Sequence, residues 1–425
     1  MNQNKTVTMG FAQTDITPEK PVEMVGFYRE DNISRGIQHP LSAQVSVWHC
    51  AEETCCLVTI DSIGFMKHLA NGLRERIGQV IGISGEKVMF CFSHTHAAPD
   101  ADREPAYYEM VCRCLEEAAH RALQQMYPVT IGWGNGEAEI GCNRRTECDS
   151  IDSRAGILKV CDAESGMLRL LLVRLTAHCN VLKYDNYLIS PDYFGTVRDL
   201  LQETYNCPVM LVQGAAGNVA PKYYRSANRP VDAADDRFVC SHTALEDMAQ
   251  AVLDAVKPVI DRIQTGEAAS VKMYSCQISL WSQVPSYERG IQIAEEAMVE
   301  CGIDGTLWLA EVKRLLDSGI YEQEDVTEVQ YFSLGEGCLC GVPNEIMTEF
   351  ALEVYEMLDN HYFYFNGYTN GCTGYFPTEA EFDKGGYEVY WSMLTYFSCH
   401  GRVFPLNREA AGQLREFVVK NAPEA

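Results

Sequence analysis

Between residues 55 and 126 the chain alternates two kinds of apolar pattern, and this alternation constrains the fold more than any other feature. Cys55 to Ile60 is a short, mostly apolar run that ends at Asp61, and Val88 to Phe92 is a second. His68 to Ile81 and Pro105 to Met126 instead carry apolar residues at helical spacing. Runs of five or six apolar residues between amphipathic helices predict buried strands in a strand–helix–strand–helix order, the signature of an α/β architecture. Later segments continue it. Strands are expected at Ser42–Trp48, Val129–Ile140, Leu168–Ala177, Val209–Gln213, Ser270–Leu280, Val329–Leu334, Gly337–Val342 and Tyr362–Phe365, and helices at Phe194–Thr204, Thr243–Val256 and Ile346–Leu358. Glu345 is placed at the start of the last helix. Tyr287–Gly319 is polar and helical and reads as an αα-hairpin. The expected fold is α/β, mixed β-sheets flanked by helices.

The second apolar run leads into Ser93-His94-Thr95-His96 and a proline-broken loop. On a strand, side chains two apart share a face, so His94 and His96 are expected to aim into one pocket. A lone pair of this kind serves plain hydrogen bonding as often as chemistry. Other strand ends strengthen the chemical reading. Leu168–Ala177 ends at His178, Gly337–Val342 leads to Pro343-Asn344-Glu345, and Tyr362–Phe365 precedes a tyrosine-rich loop containing Tyr375. Open α/β sheets bind ligands beyond their strand ends. Two histidines and a carboxylate make a zinc set that leaves a coordination position open.

Charge narrows the partners. A net charge of −25 with no Lys/Arg cluster argues against nucleic acid, whose phosphates need such clusters. No apolar run approaches the ~20 residues of a membrane span, and the start, Met1 to Thr8, lacks the apolar core of a leader. The eighteen cysteines lie mostly in apolar segments without CxxC spacing. They are expected to be reduced thiols in a cytoplasmic protein. Cys112/Cys114 and Cys338/Cys340 are read as core residues rather than metal pairs.

Taken in order, several short motifs resemble one family. They are Ser-His-Thr-His-x-x-Pro, Asn143-Arg144, Ala177-His178 with Leu188-Ile189-Ser190-x-Asp192 downstream, Val212-Gln213-Gly214-Ala-Ala-Gly-Asn-Val-Ala-Pro221, Val342-Pro343-x-Glu345, and Tyr375 with Tyr387 beyond it. This series, over about residues 8 to 400, resembles the catalytic domain of the neutral/alkaline, non-lysosomal ceramidases. The resemblance implies one large catalytic domain over residues 1–425, with a helical insertion at about 285–320 and without the C-terminal immunoglobulin-like domain. It implies a zinc amidase in which His94, His178, Glu345 and Tyr375 hold Zn2+. His96, Arg144 and Tyr387 would surround the scissile carbonyl.

Two departures bear on substrate. Where the family has Gly-Asp-x-Ser-Pro, this chain has Gly217-Asn218-Val219-Ala220-Pro221, so the acid and the hydroxyl are both missing. An acidic chain without a basic amphipathic stretch is also poorly suited to a lipid surface. The expected function is therefore zinc-dependent hydrolysis of an amide or related bond in a small molecule by metal-activated water, with long-chain ceramide not the main substrate. Two alternatives stand beside it. One is a two-metal phosphoesterase-like hydrolase using Asp61, His94, His96 and Asp192. The other is a zinc-retaining binding protein that has lost turnover.

Overall fold

A computed structural model describes residues 6–224, 237 and 241–424. Residues 1–5, part of the stretch read as lacking a leader, and Cys240 lie outside the described residues. An eight-stranded mixed sheet forms the centre. It contains β1 (Thr8–Asp15), β2 (Ser42–Cys50), β3 (Glu53–Ile60), β4 (Val88–Phe92), β5 (Tyr127–Glu137), β7 (Arg154–Asp162), β8 (Leu168–Leu175) and β9 (Val209–Gln213), in the spatial order β4-β3-β2-β1-β5-β7-β8-β9. The pairs β3/β4 and β8/β9 are parallel and the rest antiparallel.

Period-two patterning explains the layers. In β4, Val88, Phe90 and Phe92 pack on helices α1 (Lys67–Ile81) and α2 (Pro105–Gln124). Met89 and Cys91 point the other way, into a core shared with a second sheet. Burial on both faces is why β4 reads as an unbroken apolar run. Helices α3 (Tyr193–Tyr205) and α4 (His242–Ile260) cover the β5–β9 half in the same manner.

The second sheet has the order β11 (Val271–Gln283), β12 (Glu322–Leu334), β13 (Gly337–Gly341), β15 (Phe363–Asn366). Its inner face brings Met273, Phe332, Leu339 and Tyr364 against Trp48, Leu57, Leu158 and Met210 of the first sheet. Its outer face packs on α7 (Thr348–Met357) and α9 (Ala410–Lys420). The result is four layers: helices, sheet, sheet, helices. Between β11 and β12, α5 (Tyr287–Cys301) and α6 (Thr306–Asp317) form the expected helical pair, packed with α8 (Met393–His400) around Trp308.

The first sheet curls until its two edge strands meet at their carboxyl ends. Gln213, closing β9, donates from Nε2 to the carbonyls of Ser93 (3.2 Å) and Ala177 (2.7 Å). That single side chain joins the segments carrying His94 and His178. Among the described residues no helix is long and apolar enough to cross a membrane, and the described cysteines other than Cys50 and Cys142 are free.

Candidate metal centre

Four chain segments deliver the site. The first follows β4. The strand stops at Phe92, and His94 takes a left-handed backbone (φ 61°). The expectation that strand periodicity aims His94 and His96 together is therefore corrected in its cause: a turn, not an extended strand, brings their rings to 4.9 Å. The second segment follows β8 and presents His178, whose backbone N–H donates to Val219 O (2.8 Å).

The third and fourth segments pair with each other. Glu345 belongs to a short parallel ladder between β14 (Glu345–Ile346) and β16 (Tyr375–Phe376), with Glu345 opposite Tyr375. Glu345 was expected at a helix start, but α7 begins only at Thr348. The ladder fixes the carboxylate more rigidly than a frayed helix end would. Gly217 N donates to Ile346 O (2.8 Å), and a Cβ at 217 would run into the Glu345 carbonyl, so the glycine permits this approach.

The three histidines share one arrangement. Nδ1 of each faces a backbone carbonyl: His94 to Ile63 O (2.7 Å), His96 to Gly26 O (3.0 Å) and His178 to Ala216 O (2.7 Å). Those bonds place a proton on Nδ1, so that in a neutral ring the lone pair falls on Nε2, a tautomer that suits metal binding. The ring nitrogens of His94, His96 and His178 gather within 4.8 Å of one another, all buried, as a group able to hold a metal ion. Glu345 Oε2 stands 3.1 Å from His94 Nε2 and 3.3 Å from His178 Nε2. Neither His178 Nε2 nor Glu345 Oε2 has a hydrogen-bond partner, so these close separations are not aligned N–H···O bonds. Ligand atoms about 2.0–2.1 Å from a common zinc ion stand roughly 3.3 Å apart along a tetrahedral edge. The donor set fits a zinc ion.

Electrostatics agree. Burial pushes the Glu345 carboxyl up, but His94 and His178 outweigh it and hold the group well below the usual carboxylate range. Burial and then Arg144 push His178 down to about 4. Burial, with His94 and His178, also holds His96 well below the histidine range. Burial thus favours the neutral imidazole at His96 and His178 beside the Glu345 carboxylate.

Arg144 follows β6 (Gly141–Asn143), which pairs with β10 (Val219–Pro221). Its Nη2 donates to Tyr375 Oη (2.9 Å) and Gly217 O (2.7 Å), and its Nε to Glu388 Oε1 (2.7 Å). Burial disfavours its charge, but Tyr375 and Glu388 hold it firmly protonated. The Tyr375 ring stacks 6.5 Å from His178, and Tyr387, on a π-helical turn (Tyr387–Trp391), lies 5.8 Å from Tyr375. Burial and Glu345 keep the Tyr375 phenol neutral, against Arg144, so its ionisation calls for a cation. The seven side chains of the single-zinc reading therefore lie in one place.

Others were missed. Tyr396, on α8, donates to Glu345 Oε1 (3.0 Å). Glu388 receives both Arg144 and, at 2.7 Å, Arg145. Tyr368 packs on His94. No spacing marks Tyr396, which arrives from a helix outside both sheets. Glu388 had the signal of adjoining Tyr387.

Asp61 and Asp192 are corrected. Asp61 is bound by both Arg198 Nη atoms (3.1 and 2.5 Å) and by Ser42 N (2.8 Å). Asp192 caps α3 and accepts from the N–H groups of Val181, Leu182 and Tyr193. Their oxygens are used in holding loops, which removes the two carboxylate ligands of the two-metal reading.

Asn218 also has a structural task. Its Oδ1 accepts from Thr348 N (2.8 Å) at the start of α7, and its Nδ2 donates to Glu349 Oε2 (2.9 Å). Asn218→Asp removes that donor and sets two carboxylates together. We expect a loss of about 1–3 kcal/mol of stability, read as a lower urea midpoint. An unchanged midpoint would show that the Asn218–Glu349 contact is not needed.

Comparison with solved structures matches this architecture. A crystal structure of neutral ceramidase from Pseudomonas aeruginosa superposes with a TM-score of 0.71 at 18% identity, over 98% of this chain and 75% of that one. The chain has a ceramidase-like fold. A structure titled as ceramidase complexed with C2 gives a TM-score of 0.71 at 16% identity, over 98% of this chain and 74% of the other. No protein-family model matches the chain, and no curated protein matches it in sequence. The sequence resemblance and the fold thus point to the same family architecture.

Proposed function

We propose that this protein is a zinc-dependent hydrolase of N-acyl amides, acting on a small-molecule substrate. The observation that carries the reading is the Nε2–Oε2–Nε2 arrangement of His94, Glu345 and His178 at tetrahedral edge lengths, with each imidazole oriented by a backbone carbonyl. Tyr375, beside Arg144, is the fourth ligand in this reading. A zinc ion held there supplies a Lewis acid and an acidified water.

The remaining work falls to side chains. His96 is neutral, with its lone pair on Nε2 and its Nδ1 proton held by Gly26. It accepts a proton at Nε2 from the attacking water and returns it to the leaving amine. Arg144 is kept charged by Glu388, and Tyr387 is kept neutral by burial and Glu345. Both are suited to hold a substrate carbonyl as negative charge develops on its oxygen, each such donor being worth roughly 3 kcal/mol. Position 220 offers only a methyl group, so attack by water replaces any acyl-serine route. The net charge of −25, which opposes approach to an anionic lipid surface, fits soluble amides better than long-chain ceramide.

The test combines elemental analysis of protein purified without added metal with hydrolysis of an acyl-amide panel. One zinc per chain and turnover of at least one amide are expected. Two equivalents of metal, or none, would reject the single-zinc site. One zinc without turnover would favour the binding protein.

A further inference from the structure

Tyr368 has no role in the mechanism above, yet it is among the most constrained residues in the molecule. Its side chain is fully buried, and its hydroxyl has no hydrogen-bond partner among the described residues. Its backbone is left-handed (φ 53°), a conformation that bulky aromatic residues rarely adopt. Two bonds hold it there. Tyr368 N donates to Asn344 O (3.1 Å), beside Glu345, and Tyr368 O accepts from Phe92 N (3.1 Å), at the end of β4. The residue is clamped between the segments that carry two proposed ligands. Its ring lies 4.4 Å from the His94 ring and 6.2 Å, edge-on, from that of His178.

Phenylalanine would pack as well without burying an idle O–H. A strained backbone and an unsatisfied buried donor at one residue are two unfavourable features that packing does not explain, and such features gather where a ligand binds. Nearby groups do not supply the missing acceptor. The Arg144 guanidinium offers only donors, Glu345 Oε1 is taken by Tyr396, and Glu345 Oε2 faces the Nε2 atoms of His94 and His178.

We propose that Tyr368 is a substrate-contacting residue whose hydroxyl donates a hydrogen bond to an oxygen of the bound N-acyl compound beside His94. The inference rests on the hydrolase reading for the class of ligand. The donor is held in place before the substrate arrives, the condition under which a hydrogen bond contributes most in a water-excluded site. It also favours substrates that carry an oxygen acceptor at that point and disfavours isosteres that lack one.

The test is Tyr368→Phe in the full, metal-loaded chain. Zinc content should match the parent, the melting temperature should be equal or higher, and kcat/KM on the best amide of the panel should fall on the order of 100-fold. An unchanged kcat/KM would overturn the proposal and leave Tyr368 a packing residue. Loss of zinc would also overturn it, showing that the residue acts only by positioning His94. If the parent hydrolyses no amide, the hydrolase reading has failed on its own. The inference is then read from acetohydroxamate binding to the zinc-loaded protein: tenfold or more weaker binding in the Phe variant supports it, and equal binding rejects it.

Discussion

Alanine at His178 or Glu345 is expected to release the zinc ion and abolish hydrolysis while the protein stays folded. Both side chains are fully buried, and their reactive atoms stand 3.3 Å apart. Removing either leaves three donors and no route for a surface group to replace the fourth. Outer partners of a metal site typically change affinity 10–100-fold, so loss of a direct ligand should exceed about 100-fold. The fold should survive because backbone bonds hold both segments: His178 N to Val219 O, and Glu345 N to Gly374 O. Glu345→Gln is the sharper variant. An amide oxygen can still accept from Tyr396, so packing is retained and only the negative charge is lost. Elemental analysis and circular dichroism on the same samples decide the matter. A Glu345→Ala protein with one zinc per chain and parental activity would remove Glu345 from the ligand set.

Much of this site was legible in the sequence because strand ends are legible. β4, β8 and β13 are buried on both faces, so each reads as an apolar run with a visible end, and His94, His178 and Glu345 lie at or just past those ends. What periodicity could not show is how the ends meet. His94 and His96 converge through a left-handed turn, and left-handed residues other than glycine leave little compositional trace. The helix formers that follow Glu345 point to a helix start at that residue. Its partner in the β14/β16 ladder is thirty residues away, and ladders of two residues have no pattern. Asp61 and Asp192 looked like ligands for the same reason that His178 did, a polar residue after a buried strand or loop. Only the positions of Arg198 and of three backbone N–H groups separate the cases. Tyr368 lies in the tyrosine-rich loop ahead of Tyr375, where no spacing sets it apart, and Tyr396 enters from a helix whose local sequence carries no metal-site signal.

His96→Ala is expected to keep the zinc and lose most of the activity, by about 10²- to 10⁴-fold, the usual contribution of a general base. His96 is the most exposed of the three histidines at 8%, and no ion-pair-distance contact joins its Nε2 to Glu345, unlike those of His94 and His178. It borders the site rather than closing it. The substitution should stay local. His96 N donates to Cys179 O and His96 O accepts from Arg29 Nη2, so the backbone is held without the ring. The opposite outcome is equally informative. If His96→Ala releases zinc, then the three gathered imidazoles are the ligands, and the carboxylate beside them becomes the group free to take the proton. Glu345→Gln would then keep its metal and lose turnover. The pair of variants thus exchanges roles between the two readings, and zinc content measured on both assigns the ligand and the base.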